Sequence, residues 1–494
     1  MFRNFDNTIF SKTPLDNIFC GFIDNTTTRT IFRSIGQITK DINENLFREY
    51  DLRGIAQDDI QEDVTYTIGK SFGSYIQKTN NYKAIVGHDN RLSSPAIHKA
   101  LIKGIIDSGV SVIDLGLVTT PMYYYAKIYY NIYTGIMITA SHNPKEYNGF
   151  KISFSKIGNA YGPLIDEFKK FTYAGKFIDG HGQIEKANIK STYLQNFKKC
   201  IDLGNRKIKV VVDCGNGTGS IIIKEVLDMF NIDYELLYCQ SDGNFPNHIA
   251  DPAVSENMID LGKKVIETGA DFGIGIDGDA DRVGVVTETG KYITSDLLML
   301  IIYRSIASTM KEKKALFDVK CSKTLIDGLK AINIKPIMNR TGNSYCNLKM
   351  QEGDFSFGGE YSGHFFFRDK YQGFDDGIYA GIRIIEILSK TDKKFSQLLD
   401  NINKYYSTEE IKIKVREDNK FQIVEEVKKY VISKKYDYND MDGVRVEFID
   451  GFALVRASNT GPNLTMRFEA KTKERLNQIQ KEFETVVKNI IEKN

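Results

Sequence analysis

Short apolar runs alternating with stretches of helical period fill the chain from residue 83 to residue 333, and no other feature restricts the possible folds as strongly. KAIVGHDN leads into AIHKALIKGIIDSG and then VSVIDLG, and a tyrosine-rich segment precedes GIMIT. The pattern restarts at IKVVVDC, followed by a glycine-rich turn and SIIIKEVLDMF, and again at ALFDVKC with KTLIDGLKAIN. Strand-length apolar runs separated by helices build βαβ units, whose crossovers make neighbouring strands run parallel. Three such units in series are expected. The C-terminal stretch differs: NKFQIVEEVKKYVIS is helical in period, VRVEFID and FALVRAS suit a hairpin around Gly451, and a charged helix closes the chain. It predicts a fourth, α+β unit. Three or four domains of about 150 residues fit a chain of 494. Residues 1–44, rich in Asn and Thr and without clear periodicity, are expected to be an extension ahead of the fold.

Charge and cysteine usage exclude several functions. With 66 basic and 64 acidic side chains the net charge is +2, so no long-range field draws the protein to nucleic acid or to anionic lipid. An anionic ligand must be held by a local site. The cysteines (Cys20, Cys200, Cys214, Cys239, Cys321, Cys346) form no C-x-x-C pair and show no zinc spacing, which suits core packing in a reducing compartment. No apolar run approaches ~18 residues, and the N-terminal stretch mixes Arg3, Arg29 and Arg33 with Asp6, Asp16 and Asp24, unlike a signal or transit peptide. A cytoplasmic location is expected.

Four segments carry candidate chemistry. TASHNPKEYNGFK, residues 139–151, places Ser141 on a turn after the buried-strand pattern GIMIT, where α/β sheets put their sites. His142 is expected to serve it badly as a base, because adjacent side chains diverge in helix and strand alike. The segment also lacks the glycines of a G-x-S-x-G elbow. DFGIGIDGDADRVGVV, residues 271–286, satisfies G-x-G-x-x-G, yet its three aspartates would repel a pyrophosphate and RVGVV continues as a strand. Arg282 stands where an EF-hand needs its turn glycine. What remains is Asp277, Asp279 and Asp281 on a turn after a buried strand, a set that calls for a hard cation, best Mg²⁺. RASNTGPNLTMRFEA, from residue 456, sets Arg456 beside Ser458, Asn459, Thr460 and Gly461, a nest of donors for an oxyanion. In GEYSGH, residues 359–364, the period of two predicts Glu360, Ser362 and His364 on one side of an extended chain, suited to a polyhydroxylated ligand. CGNGTGS, residues 214–220, lacks a P-loop lysine and is expected to be only a tight βα connection.

In this order, TASHNPKEYNGFK, DGDADR, GEYSGH and RASNTGP resemble the motifs of the α-D-phosphohexomutase superfamily. The resemblance runs from FREYDLRG at residue 47 to about residue 470, includes VGHDNRLSS, DGNFPNH, DVKCSKTL and GFDDGIY, and is greatest to the bacterial phosphomannomutase/phosphoglucomutase branch. It implies the α/β class: three βαβ-type domains with mixed sheets plus a C-terminal α+β domain around a central cleft. The corresponding boundaries are 45–187 with a phosphoserine loop, 188–291 with a metal loop, 292–403 with a sugar-binding loop and 404–494 with a phosphate-binding loop.

The implied activity moves phosphate between O1 and O6 of a hexose, mannose or glucose, through a phosphoserine at Ser141 and a hexose 1,6-bisphosphate that also activates the enzyme. Ser141, Asp277, Asp279 and Asp281 would be the Mg²⁺ ligands. Arg53, His142, Lys151, Arg282 and Lys320 match positions that stabilise transferring phosphate or move protons. Tyr50, Glu360, Ser362, His364, Arg456, Ser458, Asn459 and Thr460 would bind substrate. The expected partners are sugar phosphates, without nucleic acid or membrane, and the expected state is a monomer or weak oligomer. Asn343, Tyr361 and Gly461 depart from the branch's usual His, Met and Thr, which bears on the choice of sugar. Phosphoglucosamine mutase is one alternative. A haloacid-dehalogenase-like sugar phosphatase is another, because IGI before DGDAD mimics a pattern with Asp277 as nucleophile, though it leaves Ser141 and RASNTGP unexplained. A mutase-like sugar-phosphate binder without turnover is opposed by the intact serine, carboxylates and Arg456.

Overall fold

A computed structural model describes residues 35–156, 158–459 and 461–493. Most of the expected extension, residues 1–34, lies outside these. Its end does not stand apart from the fold: Ile35–Asp41 is a helix, and Ile38 and Ile42, four residues apart and so on one face, are buried in the first core. Tyr173 donates its hydroxyl to the Ile42 carbonyl at 2.8 Å.

The first unit is built on a sheet ordered Leu52–Ile55, Tyr147–Ser155, Gly135–Ile138, Lys83–His88, Ser111–Leu117, Ile184–Lys186. Its first two pairings are antiparallel and the rest parallel. The second sheet runs Tyr292–Ile293, Val283–Thr287, Phe272–Ile276, Lys209–Asp213, Asp233–Leu237, again antiparallel at one side and parallel at the other. The third is Lys335–Asn339, Lys314–Asp318, Phe357–Gly359, Phe365–Phe367, with only the last pair antiparallel. All three sheets are mixed, as expected. In the C-terminal unit Val444–Phe448 and Gly451–Ala457 form the expected hairpin, with Phe448 opposite Gly451, and Lys420–Ser433 and Lys473–Lys493 are the expected helices. Its sheet is antiparallel throughout.

The strands that lead to the candidate loops are buried along their whole length. This holds for Gly135–Ile138, Phe272–Ile276, Phe357–Gly359 and Gly451–Ala457. A fully apolar strand is pinned by packing on both faces, so the residue just beyond its carboxyl end has a determined position. One continuous apolar core extends through the first three units, from Ile85 through Val210 and Phe272 to Phe395. The C-terminal unit has a core of its own. It meets the third unit through a small cluster of Val319, Phe452 and Leu454 and through Arg445, which donates to the carbonyl of Cys321 at 2.7 Å. No helix among the described residues is long and apolar enough to cross a membrane.

Candidate active site

Ser141 follows the strand Gly135–Ile138 in the left-handed region, with φ +49°, a conformation that a side chain adopts only when its surroundings impose it. The imposing group is Arg91. Its buried guanidinium donates to the carbonyls of Ser141, Asn143 and Pro144 at 2.7 Å each and to that of Tyr147 at 3.1 Å. The Asp89 carboxylate holds Arg91 from behind, accepting its Nε–H at 3.1 Å. The Ser141 hydroxyl donates to Asp277 Oδ2 at 2.8 Å and lies 3.3 Å from His142 Nδ1. The expectation that His142 is badly placed is therefore wrong. Divergence of adjacent side chains belongs to helix and strand, and the left-handed turn brings the two together. Burial, with Arg282 and Arg53 nearby, holds His142 well below the usual imidazole range, so the ring is neutral.

Asp277, Asp279 and Asp281 follow the strand Phe272–Ile276 and lie fully buried beneath the cleft floor. Lys151 donates to Asp279 Oδ2 at 2.7 Å and also to Asp281, and Thr120 donates to Asp279 Oδ2 at 2.6 Å. Asp279 Oδ1 and Asp281 Oδ1 are buried without a hydrogen-bond partner, and one oxygen from each of the three carboxylates lies within 4.8 Å of the others. Burial and the two neighbouring carboxylates push Asp277 well above the usual range. Open oxygens and excess negative charge in a dry site fit a hard divalent cation such as Mg²⁺, with these three aspartates as protein ligands beside the serine hydroxyl.

Gly278 sits against Ser141: a Cβ there would be 2.4 Å from the serine carbonyl oxygen. Thr218 holds Gly278 from the other side, donating its N–H at 2.9 Å and its hydroxyl at 2.7 Å to the glycine carbonyl. CGNGTGS thus does more than connect a strand to a helix. It buttresses the acidic turn.

GEYSGH is not extended. Glu360 N–H donates to the His364 carbonyl at 2.9 Å and Gly363 N–H to that of Glu360 at 3.0 Å, closing a tight turn with Gly363 at φ +93°. The turn joins two antiparallel strands, which is why the period of two fails there. Glu360, Ser362 and His364 still line one cleft of about 440 Å³, a size usual for small-molecule sites. Glu360 accepts from the Gly342 N–H at 2.7 Å and from the Ser362 hydroxyl at 3.3 Å. Arg282 Nε donates to His364 Nε2 at 2.9 Å, so the ring proton resides on Nδ1, 2.7 Å from Asp375 Oδ2. The trio Asp281, His364 and Asp375 is close enough to suggest a second metal group, but a protonated Nδ1 orients the ring and is no ligand.

The same cleft collects Tyr50, Arg53, Ser141, His142, Lys151 and Arg282 from two units and Lys320, Arg456, Ser458 and Asn459 from the others. Thr460 lies outside the described residues. Arg456 Nε donates to Asp442 at 3.0 Å, while its Nη2 and the Asn459 amide nitrogen are buried without partners among the described residues. Arg53 donates to Asn143 Oδ1 at 2.9 Å and pairs with Asp51. Burial, opposed by Arg456, pushes the Tyr50 hydroxyl up to about 12, so it remains a donor. Of the departures, Asn343 donates to Asp375 at 3.2 Å, and Tyr361 packs its ring 4.0 Å from the Arg467 guanidinium. Sequence patterns missed Arg91, Asp251, Glu410 and Lys412. Arg91 lies in VGHDNRLSS, where the one cue is an Asp-x-Arg pair on a turn, and Glu410 just precedes, and Lys412 lies in, the alternating charged strand Ile411–Lys414, which reads as surface.

Models of the phosphoglucomutase/phosphomannomutase family match the chain in order: α/β/α domain I at residues 44–170, domain II at 191–290, domain III at 294–405 and the C-terminal domain at 410–486. A phosphomannomutase/phosphoglucomutase of Pseudomonas syringae is 39% identical over 449 residues, 90% of this chain and 96% of that protein. A phosphoglucomutase of Neisseria gonorrhoeae is 37% identical over 91% of this chain and 98% of its own length. The crystal structure of a phosphoglucomutase/phosphomannomutase family protein from Burkholderia thailandensis superposes with a TM-score of 0.84 at 33% identity, covering 91% of this chain and 98% of that one. With all four domains matched in sequence and the whole architecture matched in space, this chain belongs to the phosphoglucomutase/phosphomannomutase family.

Proposed function

We propose that this protein interconverts the 1- and 6-phosphates of glucose and mannose, with Ser141 as phosphoryl carrier and hexose 1,6-bisphosphate as intermediate and activator. What carries the proposal is the pairing, across one cleft, of a serine hydroxyl seated on three buried carboxylates with the partnerless donors of Arg456 and Asn459. The carboxylates would hold Mg²⁺, which when bound withdraws charge from a phosphoryl group on Ser141 and makes the serine a better leaving group. The substrate's existing phosphate docks on Arg456, Ser458, Asn459 and Thr460, and Glu360 and Ser362 grip sugar hydroxyls. Its free hydroxyl then faces phosphorylated Ser141. As the new P–O bond forms and the bond to Ser141 breaks, Arg53, Lys151 and Arg282 surround the transferring group with positive charge, while Lys320, paired with Glu410, faces the docked phosphate. The neutral His142 ring, 3.3 Å from the serine oxygen, can take the proton that the sugar hydroxyl loses and pass it to the Ser141 oxygen as the phosphoryl group leaves. The bisphosphate turns over in the cleft and returns its other phosphate to Ser141. Peptide mapping of the purified protein tests this. A phosphate on Ser141 that resists hydroxylamine is the expected result, whereas a hydroxylamine-labile acyl phosphate on Asp277 points to the phosphatase chemistry instead.

A further inference from the structure

We propose that Glu410 is an internal counter-anion of the phosphate-docking side of the cleft, a carboxylate that the substrate's phosphate displaces and that weakens the hold on this phosphate so that the bisphosphate can turn. This rests on the mutase function proposed above. Lys320 Nζ donates to Glu410 Oε1 at 2.7 Å, and the cations acting on the carboxylate are Lys320, Arg456 and Lys412, all lining the cleft. Together they pull the pKa of its carboxyl down to about 2, against the opposing effect of burial, so it is ionised whenever the enzyme works.

Three acids serve these cations, and they differ in kind. Asp318 is buried, accepts from the Tyr361 N–H at 3.0 Å and lies 4.0 Å from Lys320 Nζ, so it is fixed in place. Asp442 is a fixture: its carboxylate is 7% exposed and Oδ2 accepts both from Arg456 at 3.0 Å and from the Thr341 N–H at 2.9 Å. Glu410 stands on the open side. Its side chain is 24% exposed while that of Lys320 is 8% exposed, so the acid can swing into water while the lysine stays in place. The neighbouring Glu409 is engaged elsewhere, accepting from the Ser255 hydroxyl at 2.6 Å. Arg456 Nη2 and the Asn459 amide still point at no acceptor, so a tetrahedral anion would add contacts that Glu410 does not supply. Lys320 already answers two carboxylates, Glu410 at 2.7 Å and the buried Asp318 at 4.0 Å, so a phosphate brought to it would crowd three anions on one cation and eject the more exposed of the two acids, Glu410. Holding a bisphosphate more tightly in both orientations would deepen the ground state without helping either transfer.

Calorimetric titration of inorganic phosphate into the Mg²⁺-loaded protein in chloride buffer tests this without requiring turnover. Glu410→Gln is expected to bind phosphate about tenfold more tightly than wild type, and to lower both KM and kcat for glucose 1-phosphate. Glu409→Gln removes the same charge one residue away and is expected to leave phosphate affinity within about twofold. Unchanged or weaker phosphate binding by Glu410→Gln would make Glu410 a support that positions Lys320 and would overturn the proposal. An equal gain in both variants would do the same, since only net charge would then matter. The binding measurement stands even if mutase activity proves absent from wild type, so the two proposals fail separately.

Discussion

At Ser141 the backbone is strained and the hydroxyl is held between a carboxylate and a neutral imidazole. In the proposed route, replacing it by alanine removes the carrier of the phosphoryl group and not one contact among many. Ser141→Ala is therefore expected to lower mutase turnover by roughly a thousandfold or more. Steady-state rates within about tenfold of wild type would contradict the covalent route. The buried oxygens of Asp279 and Asp281 make a second demand. Activity should vanish in EDTA and return with Mg²⁺, and full turnover in metal-free buffer would rule out the cation site.

Elements set the distance between serine and aspartates through backbone contact. Gly278 on the acidic turn touches the Ser141 carbonyl, and a methyl group at 2.4 Å must push the two loops apart. Displacements of about 1 Å at a reacting centre cost on the order of a hundredfold in rate, so Gly278→Ala should lower kcat by about that much. The melting temperature should fall as well, because the atom in the way is buried backbone and not the end of a flexible side chain. A combined measurement of kcat and thermal unfolding separates the two effects. A different contact secures the glycine-rich turn before it. His248 Nε2 lies 3.0 Å from Asp213 Oδ2, at the end of the strand Lys209–Asp213. Burial lowers the pKa of this histidine, but Asp213 outweighs it and raises the value above the ordinary 6.5. The charged pair thus stabilises the fold fully below about pH 6.5 and loses that effect as pH rises through the raised value. The melting-temperature gap between wild type and His248→Gln should be wider at about pH 5.5 than at about pH 8.5. A gap independent of pH would mean that the imidazole only packs.

Over the whole molecule, three units share one core and the fourth keeps its own, so the fourth can shift against the others at the cost of few apolar contacts. It carries Arg456, Ser458 and Asn459, while the sugar-facing Glu360 and Ser362 belong to the third unit. Asp442, accepting from both Arg456 and the Thr341 N–H, ties the phosphate nest to the third unit beside the sugar-facing turn. Glucose and mannose differ only at C2, and Glu360 and Ser362, in the proposed role of gripping O3 and O4, are expected to discriminate weakly. Values of kcat/KM for glucose 1-phosphate and mannose 1-phosphate should agree within roughly a hundredfold, with poor use of the 2-amino sugar. A preference for glucosamine phosphate over both would place the protein on the phosphoglucosamine side and assign Tyr361 a selective role.

Local pattern carried much of this. Apolar period, strand length and turn residues are properties of a few consecutive positions, so the βαβ units, the hairpin around Gly451 and the acidic turn after Phe272–Ile276 were legible from the residues alone. The motifs at Ser141, Asp277 and Arg456 were legible for the same reason. Tertiary structure alone decided which residues meet. Arg91 reaches Ser141 across 50 positions, and Lys320 reaches Glu410 across 90. Nothing in the intervening sequence encodes such a distance. It also decided two conformations that periodicity misjudged. The left-handed turn that seats His142 beside Ser141 and the tight turn in GEYSGH are both imposed by packing and hydrogen bonds from distant strands, which outweigh the preference of the segment itself.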